Sequence, residues 1–449
     1  MSNLVVVLVG FINGLVFPKL LSIDDYAFYQ TFLLYSLYIG ILHLGFPSGL
    51  FVNYGGKNYE NRDKQQYKSE ILFVLLSQLI LTIACIMIAI YFKDDILFYT
   101  AFYIIPVNII ATYKALYQAW NQFKKFAIIN TVISIAICLL MVIVYLIAGK
   151  SDARLAIFPY IIVNSFYCLF ILYSFVKDTK GVKSNKVISS ENIVTLQMGF
   201  LLMLGGAASI FLSSMDRFFI KALFTSYEFA MYSFALSMQS MINIFITAVS
   251  QPLYHKMASK QVASNTYSLL KELLLAFGSL SGCAYFACSI IVNWFLPQYV
   301  DSLKVMSIFF AIFPAVAVIN CLYINLYKIT GQIKKYMITI GMMIAIAFLL
   351  DVIAVNIYNN FLSISFSTTI CYYIWLWYSS KHFENLTFTK QDVIFLAGFF
   401  LLFFVTTRFL DNISGVIIYS VCIIMWISIN YKGAVKEVST IIYGLMRKK

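Results

Sequence analysis

The chain has 449 residues, of which 61% are apolar or aromatic and 11% are charged, and its formal net charge is +13. Soluble domains carry about 25% charged residues, so this composition excludes a water-soluble globule. It also excludes a disordered chain, because disorder requires low hydrophobicity and high charge. The basic residues are not gathered on one face with aromatic residues between them, so we expect no nucleic-acid partner.

Apolar runs separated by short polar stretches follow one another along the whole chain. A membrane-spanning helix needs about 20 mainly apolar residues. Each run must be helical, because an open sheet edge or a bare loop would leave backbone amides unpaired in hydrocarbon. The sequence therefore predicts an all-α polytopic membrane protein with about fourteen spans, beginning near Leu4, Ala27, Ile71, Ile96, Ala127, Leu155, Ile193, Phe229, Leu269, Lys304, Met337, Phe361, Val393 and Gly415.

Lysine and arginine are distributed unevenly between alternate connections. Cytoplasmic loops retain these residues, and with residue 1 inside, the even-numbered connections and the tail hold most of the 32, Lys271 among them. We therefore expect both termini in the cytoplasm. The outer connections would hold only Lys19, Lys93, Lys150, Arg154, Arg217, Lys221, Lys304 and Arg408.

Two stretches about 210 residues apart resemble each other. Residues 113–126 align without gaps on residues 323–336, and the matches include Tyr, Leu, Gln and a Lys-Lys pair. This repeat predicts two six-helix lobes, 1–190 and 191–390, followed by two further helices and a basic tail in 391–449. Because each lobe holds an even number of spans, an axis along the membrane normal would relate the lobes, which is typical of transporters.

The sequence offers little for chemistry. The eight cysteines lie in apolar runs without C-x-x-C spacing, and the three histidines are far apart. No nucleophile–base pair or phosphate-binding glycine loop is present. We therefore expect no enzyme activity, no cofactor and no metal. The spacing of Gly45 and Gly49, G-x-x-x-G, instead predicts close approach of another helix.

Three segments resemble a known family. PKLLSIDDYAFY at 18–29, LGFPSGLFVNYGG at 44–56 and SMDRFFI at 214–220 are similar to segments of the Wzx-type polysaccharide flippases of the multidrug/oligosaccharidyl-lipid/polysaccharide (MOP) exporter superfamily. The resemblance covers nearly the whole chain and rests on the order and spacing of loose motifs. It implies a two-lobed bundle in the bacterial cytoplasmic membrane that moves undecaprenyl-diphosphate-linked sugar repeat units to the outer leaflet by alternating access.

Charged side chains inside predicted spans are the candidate site residues, because such charges cost about 2.5–3.5 kcal/mol on insertion scales. In the seventh span Ser209, Ser213, Arg217 and Lys221 recur every four residues, which places hydroxyls and two cations on one helix face, with Asp216 beside it. Arg217 could hold a diphosphate bidentately. The alternative is a helix end at the outer interface, where Asp216 and Arg217 pair or snorkel.

Two further charges lie inside predicted spans. Lys114 in the fourth span faces the same way as Gln118 and Asn121 and could contact the substrate, or it could snorkel to the cytoplasmic end. Asp351 in the eleventh span could be a proton or cation site for ion coupling, or a residue of the outer interface.

Several functions share this fold class. Under the flippase hypothesis, the substrate is the lipid-linked oligosaccharide and the protein lies in the lipid bilayer. A polysaccharide polymerase is a candidate partner, and we expect a monomer. The alternatives are a drug or cation exporter or a lipid II flippase of the same superfamily. From another class, a membrane polysaccharide polymerase or glycosyltransferase would expose a sizeable outer loop, and the outer loops here are short.

Overall fold

The protein is described here by a computed structural model covering residues 2–149, 152–259, 264–384, 386–433 and 436. The chain forms two compact units that divide between Ser214 and Met215. The cations of the predicted topology that lie outside the described residues are Lys150, Lys260, Arg447, Lys448 and Lys449.

The first unit is helical throughout its spans. Its helices are α1 (Ser2–Leu20), α2 (Ile23–Ile39), α3 (Phe46–Tyr54), α4 (Lys64–Phe92), α5 (Asp95–Ala119), α6 (Phe123–Ala148), α7 (Ala153–Asp178) and α8 (Ser190–Leu212). The second predicted span is divided into α2 and α3. Leu44 and Gly45 both adopt positive φ between them, and the Gly45 N–H donates to His43 Nδ1 over 3.0 Å.

The second unit is also helical. Its helices are α9 (Met215–Leu223), α10 (Ser226–Ser259), α11 (Ser264–Leu280), α12 (Cys283–Phe295), α13 (Ser302–Phe309), α14 (Phe313–Val318), α15 (Ile324–Ile329), α16 (Ile333–Ile357), α17 (Phe361–Ser380), α18 (Lys390–Phe409) and α19 (Asn412–Asn430). The stretch α13–α15 is a nearly continuous helix, and most of it is buried.

The predicted fold class is confirmed. Eleven helical segments in the described part of the chain are long and apolar enough to cross a membrane. The three other predicted spans lie in α1, α2–α3 and α17, and each predicted start falls within a helix. The first compact unit includes α8, which the repeat assigns to the second lobe. Packing defines the units whereas the repeat defines the lobes, so the lobe boundaries at 190 and 390 stay a prediction.

The repeated segments form the same turn. The Gln122 N–H donates to the Tyr117 carbonyl over 2.7 Å, and the Gln332 N–H donates to the Tyr327 carbonyl over 2.9 Å. The residue before each glutamine has a positive φ, 56° in the first copy and 68° in the second. Both turns are therefore Schellman motifs, which end α5 and α15 and redirect the chain into α6 and α16.

A second pair of segments also starts helices in the same way. The Ser22 hydroxyl accepts from the Asp25 N–H over 3.2 Å at the start of α2, and the Thr225 hydroxyl accepts from the Glu228 N–H over 3.3 Å at the start of α10. Each is an N-cap with an acidic residue three positions later. These helix starts precede similar segments, DYAFY at 25–29 and EFAMY at 228–232, so local structure recurs with the sequence similarity.

Glycines bring α3 and α8 together inside the first unit. A Cβ on Gly199 would lie 2.1 Å from the Gly45 carbonyl oxygen, and a Cβ on Gly49 would lie 2.1 Å from the Thr195 carbonyl oxygen. Only glycine permits backbones to approach this closely. The close helix approach predicted from the G-x-x-x-G spacing is confirmed, and Asn53 adds a hydrogen bond of 2.7 Å to the Thr195 hydroxyl.

Candidate functional site

The seventh span is broken where the sequence predicted one continuous face. Two residues, Ser213 and Ser214, lie between the end of α8 and the start of α9, and their hydroxyls donate to the Ile210 carbonyl over 3.0 and 2.7 Å. Such bonds compete with the helical backbone and favour a helix end. The Tyr38 hydroxyl lies 2.6 Å from the Ser214 hydroxyl. Ser209 and Ser213 therefore belong to the first unit and do not share one helix face with Arg217 and Lys221.

Two cations follow the break. Arg217 and Lys221 in α9 are both half-buried. The Nε of Arg217 is buried and has no hydrogen-bond partner among the described residues. The Lys221 ammonium lies 5.6 Å from the centre of the Phe229 ring. A half-buried guanidinium that forms no ion pair with a described residue can donate hydrogen bonds to an anionic ligand.

Asp216 is bonded to neutral groups. Its Oδ2 accepts from the Tyr232 hydroxyl over 2.7 Å, and its Oδ1 accepts from the backbone N–H of Arg217 over 2.7 Å. The side chain is buried, at 6% exposure. The carboxylate therefore binds the backbone of its neighbour, and the Arg217 guanidinium forms no ion pair within the described residues.

Asp351 in α16 is a second buried carboxyl of the same unit. It is 2% exposed, and the Ser367 hydroxyl of α17 donates to its Oδ1. α9, which carries Asp216, packs against both α16 and α17. Carboxylate and hydroxyl oxygens are the ligands of hard cations and the acceptors of protons. We call Asp216, Asp351, Tyr232 and Ser367 the carboxyl cluster.

Lys114 stands apart, in α5 of the first unit. It is half-buried, and its amine has no hydrogen bond or ion pair with any described residue. The neighbouring Tyr113 is buried, and its hydroxyl lies 2.9 Å from that of Tyr67. The structure thus brings Asp216, Arg217 and Asp351 into one unit, and it leaves Lys114 and Ser213 in the other.

The sequence interpretation missed Glu70. This residue of α4 is 3% exposed, accepts from the Tyr54 hydroxyl over 2.7 Å and forms no ion pair with a described residue. It borders a cavity of about 660 Å³ whose other polar lining residues are Asn53, Lys57, Arg62, Asp63, Gln66, Ser190, Glu191 and Thr195. An acidic residue directly before an apolar run, here next to Ile71, is the sequence signal that could have identified it.

The burial of Lys271 also went unnoticed. The sequence places it among the cytoplasmic connections, but its ammonium lies 2.7 Å from Asp392 Oδ2, and the two side chains are 1% and 2% exposed. This ion pair joins α11 to the start of α18. Lys271 therefore contributes to packing, and its charge is neutralised inside the protein.

The helices and their buried charges define an all-α polytopic membrane protein with polar groups inside each unit. No protein-family model matches the sequence, and a comparison with curated proteins finds no match. The fold, in contrast, is shared with solved structures. A lipid II flippase, MurJ, in an inward closed conformation aligns over 97% of this chain and 98% of its own, with a TM-score of 0.64 and 15% sequence identity.

An inward-facing multidrug resistance MATE family transporter of the MOP superfamily also aligns, over 86% of this chain and 99% of its own, with a TM-score of 0.49 and 12% identity. At such identities the likeness concerns the fold alone. The chain thus has a fold similar to that of MurJ along nearly its whole length.

Proposed function

We propose that the protein moves undecaprenyl-diphosphate-linked oligosaccharide repeat units from the inner to the outer leaflet of the bacterial cytoplasmic membrane, by alternating access, for surface polysaccharide assembly. The observation that carries the proposal is a fold like that of a lipid flippase combined with half-buried cations, of which Arg217 forms no ion pair with a described residue. The Wzx-type resemblance of three segments agrees with it.

The cations suit an anionic cargo. A diphosphate brings several acceptor oxygens into the membrane, and a planar guanidinium can bind two of them. Arg217 is the leading contact, with Lys221, Lys114 and Ser213 as further substrate contacts. Asp216 is bonded to Tyr232 and to a backbone N–H, and it forms no ion pair with the Arg217 guanidinium.

The carboxyl cluster supplies a candidate for ion coupling. A proton or a monovalent cation bound between Asp216 and Asp351 would remove the repulsion between two buried carboxylates. Its gradient could then drive one direction of the cycle. We assign ion coupling to Asp351, with Asp216 as its neighbour.

Complementation tests the substrate site. The Arg217→Ala, Lys221→Ala double variant should fail to restore surface polysaccharide in a strain that lacks its own flippase, and lipid-linked repeat units should accumulate inside. Arg154→Ala removes a cation that is exposed and paired with Asp95, so it should complement fully. Full complementation by the double variant, at normal protein levels, would overturn the site assignment.

A separate measurement tests the coupling residue. In proteoliposomes, Asp351→Asn should abolish the dependence of lipid translocation on the proton or sodium gradient. Asp24→Asn removes an exposed carboxyl at the start of α2 and should retain the dependence. Unchanged gradient dependence in Asp351→Asn would exclude Asp351 from coupling.

A second candidate function is favoured by the structural comparison. The fold is similar to that of a lipid II flippase, whose cargo would be recognised through the same lipid-linked diphosphate chemistry. Translocation assays with lipid II and with a lipid-linked oligosaccharide, each supplied alone, separate the two. Genes for glycosyltransferases and a polymerase beside this one would favour the oligosaccharide and a polymerase partner.

A further inference from the structure

Two cavities of the second unit join along α17 and α18. One has a volume of about 550 Å³ and is almost wholly apolar, and the other has a volume of about 460 Å³ and contains cations. Phe366 and Phe404 line both cavities, so the two form one continuous surface. We call them the apolar groove and the basic pocket.

The apolar groove lies between two helices that meet through aromatic rings. α18 packs along α19, while its Phe400 ring contacts the Tyr373 ring of α17 at 4.9 Å between centres. Along α17 the side chains of Phe366, Ile370 and Trp377 are each about half exposed, and all three line the groove. The groove thus offers an apolar surface to a hydrocarbon chain that lies parallel to the axis of α17.

The basic pocket has about one positive charge in excess. The Lys304 ammonium lies 3.0 Å from Asp301. The pKa of the Asp301 carboxyl lies below its ordinary value, because Tyr227 donates a hydrogen bond to it and Lys304 is adjacent, so Asp301 offsets Lys304. Arg408 has no ion pair within the described residues, and the nearby Asp411 carboxylate accepts from Ser414.

We propose that the basic pocket and the apolar groove together bind one anionic phospholipid, with its phosphate at Arg408 and Lys304 and an acyl chain along α17. The basic pocket adjoins the apolar groove, just as the head group of a lipid adjoins its acyl chain. In the predicted topology both cations lie in outer connections, which places the lipid in the outer leaflet.

The length of the groove favours a phospholipid over a polyprenyl lipid. From residue 366 to residue 377 a helix rises about 16 Å at 1.5 Å per residue. A single leaflet contributes about 15 Å of the roughly 30 Å hydrocarbon core. The groove is therefore as deep as one acyl chain, whereas an undecaprenyl chain is several times longer. One excess positive charge likewise matches a single phosphodiester.

The bound lipid would lie beside the carboxyl cluster without entering it. Ser367, which donates to Asp351, is buried and lines neither the apolar groove nor the basic pocket, whereas its exposed neighbour Phe366 lines both. The site is thus separate from the residues assigned to substrate and coupling, and its test does not depend on transport.

Lipid retention by the purified full-length protein tests the inference. In detergent supplemented with equal amounts of dioleoyl phosphatidylglycerol and dioleoyl phosphatidylcholine, native mass spectrometry should show one phosphatidylglycerol retained with preference. Because each cation near a lipid surface contributes about 1 kcal/mol, Arg408→Gln should weaken phosphatidylglycerol binding about fivefold. Arg154→Gln, an exposed cation of the other unit, should have no effect.

A variant of the groove gives an independent readout. Ile370→Trp fills the groove at an exposed position and leaves every cation in place, so it should reduce the retention of both lipids. Equal retention of the two lipids by the wild type, or unchanged retention in Arg408→Gln and Ile370→Trp, would overturn the proposal. Displacement of phosphatidylglycerol by an equal amount of undecaprenyl diphosphate would also overturn it, because the groove would then serve the cargo lipid.

Discussion

The ion pair between Lys271 and Asp392 yields the sharpest prediction. Asp392 also accepts from Tyr431 over 3.1 Å and from the Thr389 N–H and hydroxyl over 2.9 Å each, so it keeps three neutral donors when Lys271 is replaced by Met. Among the described residues, Lys271 has only the Thr387 carbonyl, at 3.2 Å, as a second hydrogen-bond partner. When the pair is broken, Asp392 therefore keeps more hydrogen-bond partners than Lys271 does.

Removing one member of a buried ion pair costs about 3–5 kcal/mol of unfolding free energy. Within that range, we expect Lys271→Met to lower the unfolding free energy by about 3 kcal/mol and Asp392→Leu to lower it by about 5 kcal/mol. Replacing both by apolar residues is often close to neutral, so the double variant should lose only about 1 kcal/mol, from the capping box that Thr389 and Asp392 form.

Unfolding of the purified full-length protein in mixed micelles, followed by tryptophan fluorescence, measures these free energies. Trp426 reports on α19, since its Nε1 donates to the Phe395 carbonyl over 3.0 Å. Lys390→Met makes the same change at an exposed lysine of α18 and should stay within about 0.5 kcal/mol of wild type. A double variant less stable than either single variant would refute the reasoning, as would a loss below about 1 kcal/mol for Lys271→Met.

Three further predictions follow from the described contacts. Gly199→Ala should destabilise the first unit by about 1–3 kcal/mol through overpacking, whereas Gly206→Ala, with no atom within 4 Å of its Cβ, should stabilise α8; thermal unfolding distinguishes them. Glu70→Ala should cost about 1–3 kcal/mol because it leaves the Tyr54 hydroxyl without its acceptor, and Glu70→Gln should recover most of this loss; equal losses would exclude the hydrogen bond as the cause. Burial and a nearby lysine lower the pKa of His382 in the loop after α17, so the unfolded chain binds its proton first, and stability should fall as the pH drops through about 6.5. His382→Gln should flatten that part of the pH profile, and an unchanged profile would contradict the assignment.

The spans could be predicted because a membrane imposes two conditions on every segment that crosses it. An apolar run must be long enough to cross, and the backbone must satisfy its own hydrogen bonds, so each run is a helix. The turns at 121 and 331 were detectable because polar residues recur there at one register. The break between α8 and α9 was not, since Ser213 and Ser214 are neither glycine nor proline and act through hydroxyl bonds to the preceding turn.

The partners of buried charges could not be predicted, for a physical reason. Lys271 and Asp392 are 121 residues apart, and Asp351 meets Ser367 on the next helix. A sequence shows that a charge lies in an apolar run, but only helix packing decides which oxygen or nitrogen faces it. A lysine in or near a cytoplasmic connection can set the topology or belong to a buried ion pair. Lys271 belongs to an ion pair.

The residues on either side of the boundary between the units are each held by a hydrogen bond within their own unit. Ser214 lies 2.6 Å from a tyrosine hydroxyl of the first unit, and Asp216 accepts from a tyrosine hydroxyl of the second over 2.7 Å, with only Met215 between them. An ion that competes with Tyr232 for the Asp216 carboxyl would break this hydrogen bond, so ion binding would loosen the first turn of α9 from α10.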